Sequence, residues 1–515
     1  MRAILSEEGF AFNATDYIGI YGNEMFLKLQ RKYTIRTVDR ITKIPQVSKL
    51  YRLMKGDGFK IIEFPRFVMN ELVCSSDEPN AKTPIVSVDI QLPNVAQTTS
   101  IEYVGQSNPN QQIVVKHVVN NLFKDEIAGT TLKLRAGTGK TYAAMDIIGK
   151  LKLKTLIVVP NTYLLDQWVN LLTQYFPNVT VGTLYGASKK DGDIIVGIIN
   201  TVCELKSFQV VEKKPLPNIG KTQKYTKVHK TIVVDDIFKQ VGLTVFDESQ
   251  MYVSKTFRKA FSRVWSRYTI GLSATPDIRE DKLDAIHQLW LGPILDAETL
   301  DGYNMAQDSF VSDTHMVEYH ARDEHCQFNV RDDGMIEYSS IIESMINDPH
   351  RNDLIIEEVM QLMDKGLYTF VFSDRRTHLE HLYNLLKTKC ESIDANAAIE
   401  LPESNKKVIL YGGSKEDTIE KAKSISTVIF TTYAYSSTGV SITKMNGLVL
   451  TTPRRSNMKQ IINRVFRLGS DQKVRRVIID IVDAKFPIKG QVRERIKAYQ
   501  ERSCNIIKRK VVVNA

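Results

Sequence analysis

Cysteine is scarce and scattered: Cys74, Cys203, Cys326, Cys390 and Cys504 are the five in 515 residues. No two stand at metal-knuckle spacing, and an odd, dispersed set argues against a disulfide scaffold and for reduced thiols. Each reads as a small buried hydrophobe. Long apolar runs are also missing. Nothing approaches the ~20 apolar residues that span a bilayer, so no membrane partner is expected. The opening residues MRAILSEEGF lack a basic region followed by an apolar run, and no secretory signal is expected. No internal repeat and no low-complexity segment interrupts the chain. Acidic residues are the minority, 59 against 69 Lys and Arg, and the resulting net charge of +10 favours a polyanionic partner.

A length of 515 residues exceeds one hydrophobic core, and ~150 residues per domain predicts three domains. From about residue 106 helix-like and strand-like stretches alternate. A helix is expected over Gln111 to Phe123, strands over Thr131 to Leu134 and Thr155 to Pro160, and a helix capped by Asn161 with Leu164, Leu165, Trp168 and Leu172 at helical spacing. Asp193 to Asn200, Leu243 to Glu248 and Tyr268 to Thr275 are further strands. A second series follows at 368–373, 407–413, 427–432, 447–452 and 476–483. The expected fold is therefore α/β, with two tandem doubly wound parallel-sheet domains and an N-terminal accessory module. The boundaries are 1–104 for the accessory module, 105–295 and 296–485 for the two α/β domains, and 486–515 for a basic tail.

The strongest chemical signal is the loop Arg135, Ala136, Gly137, Thr138, Gly139, Lys140, Thr141, set between a strand and a helix. Bare glycine backbone can turn its N–H groups onto a triphosphate, Lys140 supplies a cation for the β- and γ-phosphates, and Thr141 supplies a hydroxyl for Mg²⁺. Leu134 stands where the strict phosphate-loop pattern has its first glycine. Asp247 and Glu248 close the apolar strand before Ser249 and Gln250. Asp247 is placed to hold Mg²⁺ through water and Glu248 to polarise the attacking water. Ser273-Ala274-Thr275 follows at the exit of the next strand. In the second series a helix is expected over Gln460 to Arg467, putting Arg464 and Arg467 on one face as arginine fingers.

In this order, GTGKT, DESQ, SAT, STGVS (437–441) and QxxxRxxR resemble superfamily 2 helicases over residues 106–485, which implies that both α/β domains are RecA-like. The segments 193–201, 271–286 and 451–472 are most similar to the transcript-release and late-transcription helicases of large cytoplasmic DNA viruses, as in poxviruses and African swine fever virus. The resemblance implies that Gln111 reads adenine, and that Pro160, Asn161 and Thr201 touch the nucleic-acid backbone with Thr432. It also implies coupling through Ser273, Thr275, Gly439 and Gln460. ATP and Mg²⁺ are the expected cofactors. DNA is the favoured track, read 3′ to 5′ and largely without sequence preference, and RNA is the open alternative. Viral RNA polymerase or transcription factors are the expected protein partners. The expected place is the host cytoplasm, with virion and nucleus open. Ser441 and Asn463 depart from the Asp and Gly usual in relatives, which bears on coupling more than on hydrolysis.

Three basic stretches carry no motif. Met25 to Gly56 holds nine Lys or Arg against Asp39, Lys213 to Lys230 reads as an insertion loop with six lysines, and residues 484–515 carry nine Lys or Arg against Glu494 and Glu501. Each is equally a solvated face or a phosphate-contacting surface.

Overall fold

The computed structural model describes residues 1–38, 45–56, 59–73, 85, 87–122, 124–135, 137–186, 189–215, 225–254, 256–276, 285–304, 310–396, 407–411, 414, 416–436, 442, 444–454, 458–466, 471 and 473–513. Two compact units result: residues 1–135 with 139–304, and residues 305–515 with the segment 136–138.

The first unit is built on a seven-stranded sheet in which every neighbouring pair is parallel. Its order is Val181–Leu184, Ile194–Ile198, Thr155–Val159, Leu243–Asp247, Tyr268–Ser273, Ala128–Lys133 and Ile294–Asp296. Thr155–Val159, Ile194–Ile198 and Leu243–Asp247 are buried along their whole length, because helices cover both faces and no position in them can be polar and exposed. The helix Thr162–Tyr175 starts where the side-chain oxygen of Asn161 accepts the Leu164 N–H at 3.0 Å, and it buries Leu165, Trp168 and Leu172 on one face.

Residues 1–90 add a five-stranded sheet ordered Arg52–Gly56, Phe59–Phe64, Gly9–Asn13, Arg2–Ser6 and Ser87–Ile90, and a separate ribbon of Thr34–Val38 with Pro45–Lys49. This module shares one continuous apolar core with the seven-stranded sheet. Arg66 fastens the joint. Its buried guanidinium donates to the carbonyls of Ser266 and Val264, both at 2.6 Å. Part of the basic stretch 25–56 is neutralised inside the module, since Lys28 pairs with Glu24, Lys32 with Glu71, and Arg52 with Glu63 and Glu8.

The second unit repeats the plan with another all-parallel seven-stranded sheet: Lys407–Leu410, Val428–Thr432, Thr369–Ser373, Gly447–Leu450, Arg476–Asp483, Ser312–His320 and Asn505–Val512.

Four readings of the sequence need amendment. Residues 486–515 are no tail, because the helix Lys489–Glu501 packs on the unit and Asn505–Val512 is the edge strand of its sheet. The helix is anchored by Arg495 to Asp480 at 3.1 Å and by the Tyr499 hydroxyl donating to Asp480 at 2.8 Å. The first unit extends past residue 295 to Asn304, whose backbone exchanges two hydrogen bonds with the side chain of Asn110. The lysine-rich insertion is an antiparallel hairpin, Ser207–Pro215 with Tyr225–Val233, whose connecting residues 216–224 lie outside the described residues. Finally, the helix expected over Gln460 to Arg467 ends at Ile462 and continues as turns, with Arg464 N–H bonded to Ile461 O and Val465 N–H to Ile462 O.

Candidate nucleotide site

The carboxyl ends of the first unit's strands gather the expected nucleotide residues on one edge of the sheet. Ala128–Lys133 runs into the glycine loop, and the helix Lys140–Leu151 leaves it. Gly137 and Gly139 have φ of 88° and 86°, a region that favours glycine. At Gly139 space also excludes a side chain: a Cβ would lie 2.2 Å from Nε2 of Gln111. Gln111 sits in the first turn of the helix Pro109–Leu122. Its Oε1 accepts from Asn108 N–H at 2.9 Å and its Nε2 donates to Gly139 O at 3.4 Å, so its amide binds the phosphate loop to the helix start. The Lys140 ammonium lies 3.5 Å from the Leu134 carbonyl oxygen. Arg135 is engaged by Glu298 at 3.0 Å. Thr138 is buried, and Thr141 is half-buried on the first turn of the helix.

Asp247 ends its strand with the carboxylate buried. Oδ2 accepts the indole N–H of Trp168 at 2.8 Å, and Oδ1 accepts Glu248 N–H at 2.9 Å. Burial first, then the neighbouring charge of Glu248, pushes the Asp247 carboxyl up to about 6, while the Trp168 bond and the Lys140 charge pull the other way. Two adjacent carboxylates with so little solvent and one nearby cation are short of positive charge, and a divalent ion fits that deficit. No cluster of three or more His, Cys, Asp or Glu that could hold a metal occurs among the described residues.

Glu248 has φ 50° and ψ 47°, a left-handed conformation that costs a non-glycine residue ~1 kcal/mol or more. The strained turn aims its carboxylate at Gln250, whose Nε2 donates to Glu248 Oε2 at 2.5 Å. Gln250 Oε1 in turn accepts the Ser273 hydroxyl at 2.6 Å, and Ser273 Oγ accepts Thr275 N–H at 3.0 Å. The carboxylate expected to polarise water is thus wired to the Ser273–Thr275 segment through one amide. His287 supports the same pair of segments, with ring nitrogens 2.6 Å from Ser249 O and 3.3 Å from Pro276 O.

The residues expected to touch nucleic acid are spread over both units. Pro160 and Asn161 are half-buried at the end of Thr155–Val159, and Thr201 is half-buried in the helix Ile199–Glu204. In the second unit the Thr432 hydroxyl accepts Tyr435 N–H at 3.2 Å. Arg464 is buried there and lines a cavity of about 10 Å³ with Phe370, Phe372, Leu410, Ile429, Thr431 and Tyr435. Asn463 Oδ1 accepts from Arg502 at 2.5 Å, and Lys459 pairs with Glu501 at 2.8 Å, joining this turn to the last helix. Gln460 lies on the helix Met458–Ile462. Ala136, Gly439, Ser441 and Arg467 lie outside the described residues.

Motif reading missed Trp168, Tyr252 and His287 and assigned Gln250 no role. The QW pair in the helix after Asn161 carried a signal, since a tryptophan at a core position brings one N–H donor that must find an acceptor.

Residues 105–278 match the family described as type III restriction enzyme, res subunit. An African swine fever virus protein named as an ATP-dependent RNA helicase is 29% identical over 400 residues, covering 73% of this chain and 69% of its own. An Acanthamoeba polyphaga mimivirus protein named likewise is 27% identical over 407 residues, covering 79% and 70%. A protein of invertebrate iridescent virus 6 named as a helicase is 24% identical over 423 residues, covering 81% and 85%. Among solved structures, the DEAD-box helicase Mss116 bound to ssRNA and UDP-BeF shares the fold with a TM-score of 0.51 at 13% identity, covering 81% of this chain and 78% of its own. A phosphate loop, a DESQ strand end and an SAT segment on one sheet edge, two all-parallel sheets and viral helicase relatives point the same way: the chain is similar to the ATP-dependent superfamily 2 helicases that large DNA viruses encode.

Proposed function

We propose that ATP hydrolysis at Lys140, Asp247 and Glu248 drives this chain along a nucleic-acid strand, with DNA as the track, during elongation or transcript release in viral transcription. The observation that carries the proposal is the bonded path from Glu248 through Gln250 to Ser273 and Thr275, because a motor must make hydrolysis answer to what its grip senses. Lys140 and the loop amides hold the phosphates, and Glu248 takes a proton from the attacking water. Thr141 and Asp247 would hold Mg²⁺, which when bound neutralises charge on the phosphate oxygens. Arg464 and Arg467 act on the γ-phosphate as arginine fingers. Pro160, Asn161, Thr201 and Thr432 meet the strand backbone, and Gly439 and Gln460 take part in coupling.

The net charge of +10 supports a polyanionic track. RNA is the second reading, favoured by the names of the swine fever virus and mimivirus relatives. Viral RNA polymerase is the protein partner of this reading, and the host cytoplasm its place. ATPase titrations with single- and double-stranded DNA and RNA test the track. A strand-displacement assay beside a triplex-displacement assay separates unwinding from translocation along an intact duplex. Stimulation by RNA alone would overturn the DNA assignment, and stimulation by none of the four would overturn the proposal.

A further inference from the structure

Asp247 is held from two directions by the element that carries Pro160 and Asn161. Strand Thr155–Val159 pairs in parallel with Leu243–Asp247, with Val158 opposite Phe246, and the chain then passes Pro160 and Asn161 into the helix that bears Trp168. From that helix the indole N–H reaches Asp247 Oδ2 at 2.8 Å, with both side chains buried. From the other side the Tyr252 hydroxyl donates to the Asp247 backbone carbonyl at 2.7 Å and lies 3.2 Å from the Val158 carbonyl. Tyr252 is fully buried.

We propose that Trp168 is a positioning residue for the metal-binding carboxylate, and that Trp168 and Tyr252 transmit nucleic-acid occupancy at Pro160–Asn161 to Asp247. The second half rests on the reading of Pro160 and Asn161 as strand contacts; the first half stands on the bond alone. A carboxylate can rotate about its last torsion. One fixed donor on Oδ2 and another on Oδ1 set both oxygens, leaving the remaining lone pairs directed by the protein. A shift of the helix start at Asn161 moves Trp168 with it, because the helix is a rigid rod over these two turns.

The test replaces Trp168 with 3-benzothienylalanine, which keeps the ring's shape and puts sulfur in place of the N–H, and compares it with Trp168→Phe. The readout is Mg²⁺-dependent binding of a fluorescent ATP analogue, mant-ATP, with and without a single-stranded oligonucleotide, in the full chain without turnover. The benzothienyl variant should need ~10–100-fold more Mg²⁺ for half-maximal binding, the usual loss when a partner of a metal ligand is removed. Its melting temperature and its metal-free mant-ATP binding should match the wild type. In the wild type the oligonucleotide should lower the Mg²⁺ requirement, and in the variant it should not. An unchanged Mg²⁺ requirement in the benzothienyl variant, with a defect only in Trp168→Phe, would reduce Trp168 to a packing residue and overturn the proposal. If Asn161→Ala binds the oligonucleotide as tightly as the wild type, the strand-contact reading and the relay fall together, while the Mg²⁺ titration still decides the positioning role.

Discussion

Ser273 donates its hydroxyl proton to the side-chain oxygen of Gln250 at 2.6 Å, and the nitrogen of the same amide donates to Glu248. Ser273 ends one strand and Gln250 lies in the turn just past Asp247, the end of the neighbouring parallel strand, so a change at one is felt at the other. Gln250→Ala removes both bonds and should lower kcat about tenfold or more, which is ~1.4 kcal/mol of lost transition-state orientation. Ser273→Ala removes only the outer bond, so its kcat should fall less. KM for ATP should change little in either. Steady-state kinetics with saturating nucleic acid check this. A Ser273→Ala enzyme more impaired than Gln250→Ala would show that the path does not run through Gln250.

Gly139 has no room for a methyl group. With φ of 86° and Gln111 Nε2 2.2 Å from a virtual Cβ, Gly139→Ala must displace Gln111 or the loop. It should raise KM for ATP about tenfold and cost stability by ~1 kcal/mol or more. Calorimetric ATP binding and thermal melting measure both, and a variant with wild-type affinity would mean that the loop relaxes without loss.

Arg66 predicts a stability effect far from the chemistry. Arg66→Met keeps the apolar stem but leaves the carbonyls of Val264 and Ser266 without these donors. At ~1–3 kcal/mol for each buried unsatisfied group, the melting temperature should fall by roughly 5 °C or more. A shift under about 1 °C would mean that water replaces the guanidinium and that the module joint rests on apolar packing alone.

Arg464 separates two roles. A guanidinium that stabilises charge on the γ-phosphate is worth ~10³ or more in rate in related phosphoryl-transfer enzymes. Arg464→Ala should therefore lose most nucleic-acid stimulation of ATPase while ATP affinity falls less, since Lys140, Thr141 and the loop amides remain. Its burial beside Phe370 and Tyr435 makes packing the competing role. Full stimulation accompanied by a lower melting temperature would assign it to packing.

The repeated parallel sheet was legible because fully buried strands such as Thr155–Val159 and Leu243–Asp247 must be continuous apolar runs, and because glycine, lysine and paired acids mark their carboxyl ends. The last strand was not. Asn505–Val512 carries Lys508, Arg509 and Lys510, as edge strands do to block further pairing, and such a segment reads as solvated tail. A helix over Gln460 to Arg467 overruns the structure because Arg464 and Arg467 fit a helical face in sequence, whereas the bonding from Arg464 onward is that of turns. Trp168 and Asp247 lie far apart in sequence and meet only because the strand leading into the helix of Trp168, Thr155–Val159, pairs with Leu243–Asp247, a contact that no local spacing announces.

Turnover by the wild type, Lys140→Ala and Glu248→Gln with and without a saturating single strand addresses the central claim most directly. The account predicts slow basal hydrolysis in the wild type, strong acceleration by the strand, and near-complete loss in both variants, with their strand affinity close to wild type. Wild-type hydrolysis that ignores nucleic acid, or turnover that survives either substitution, would contradict it.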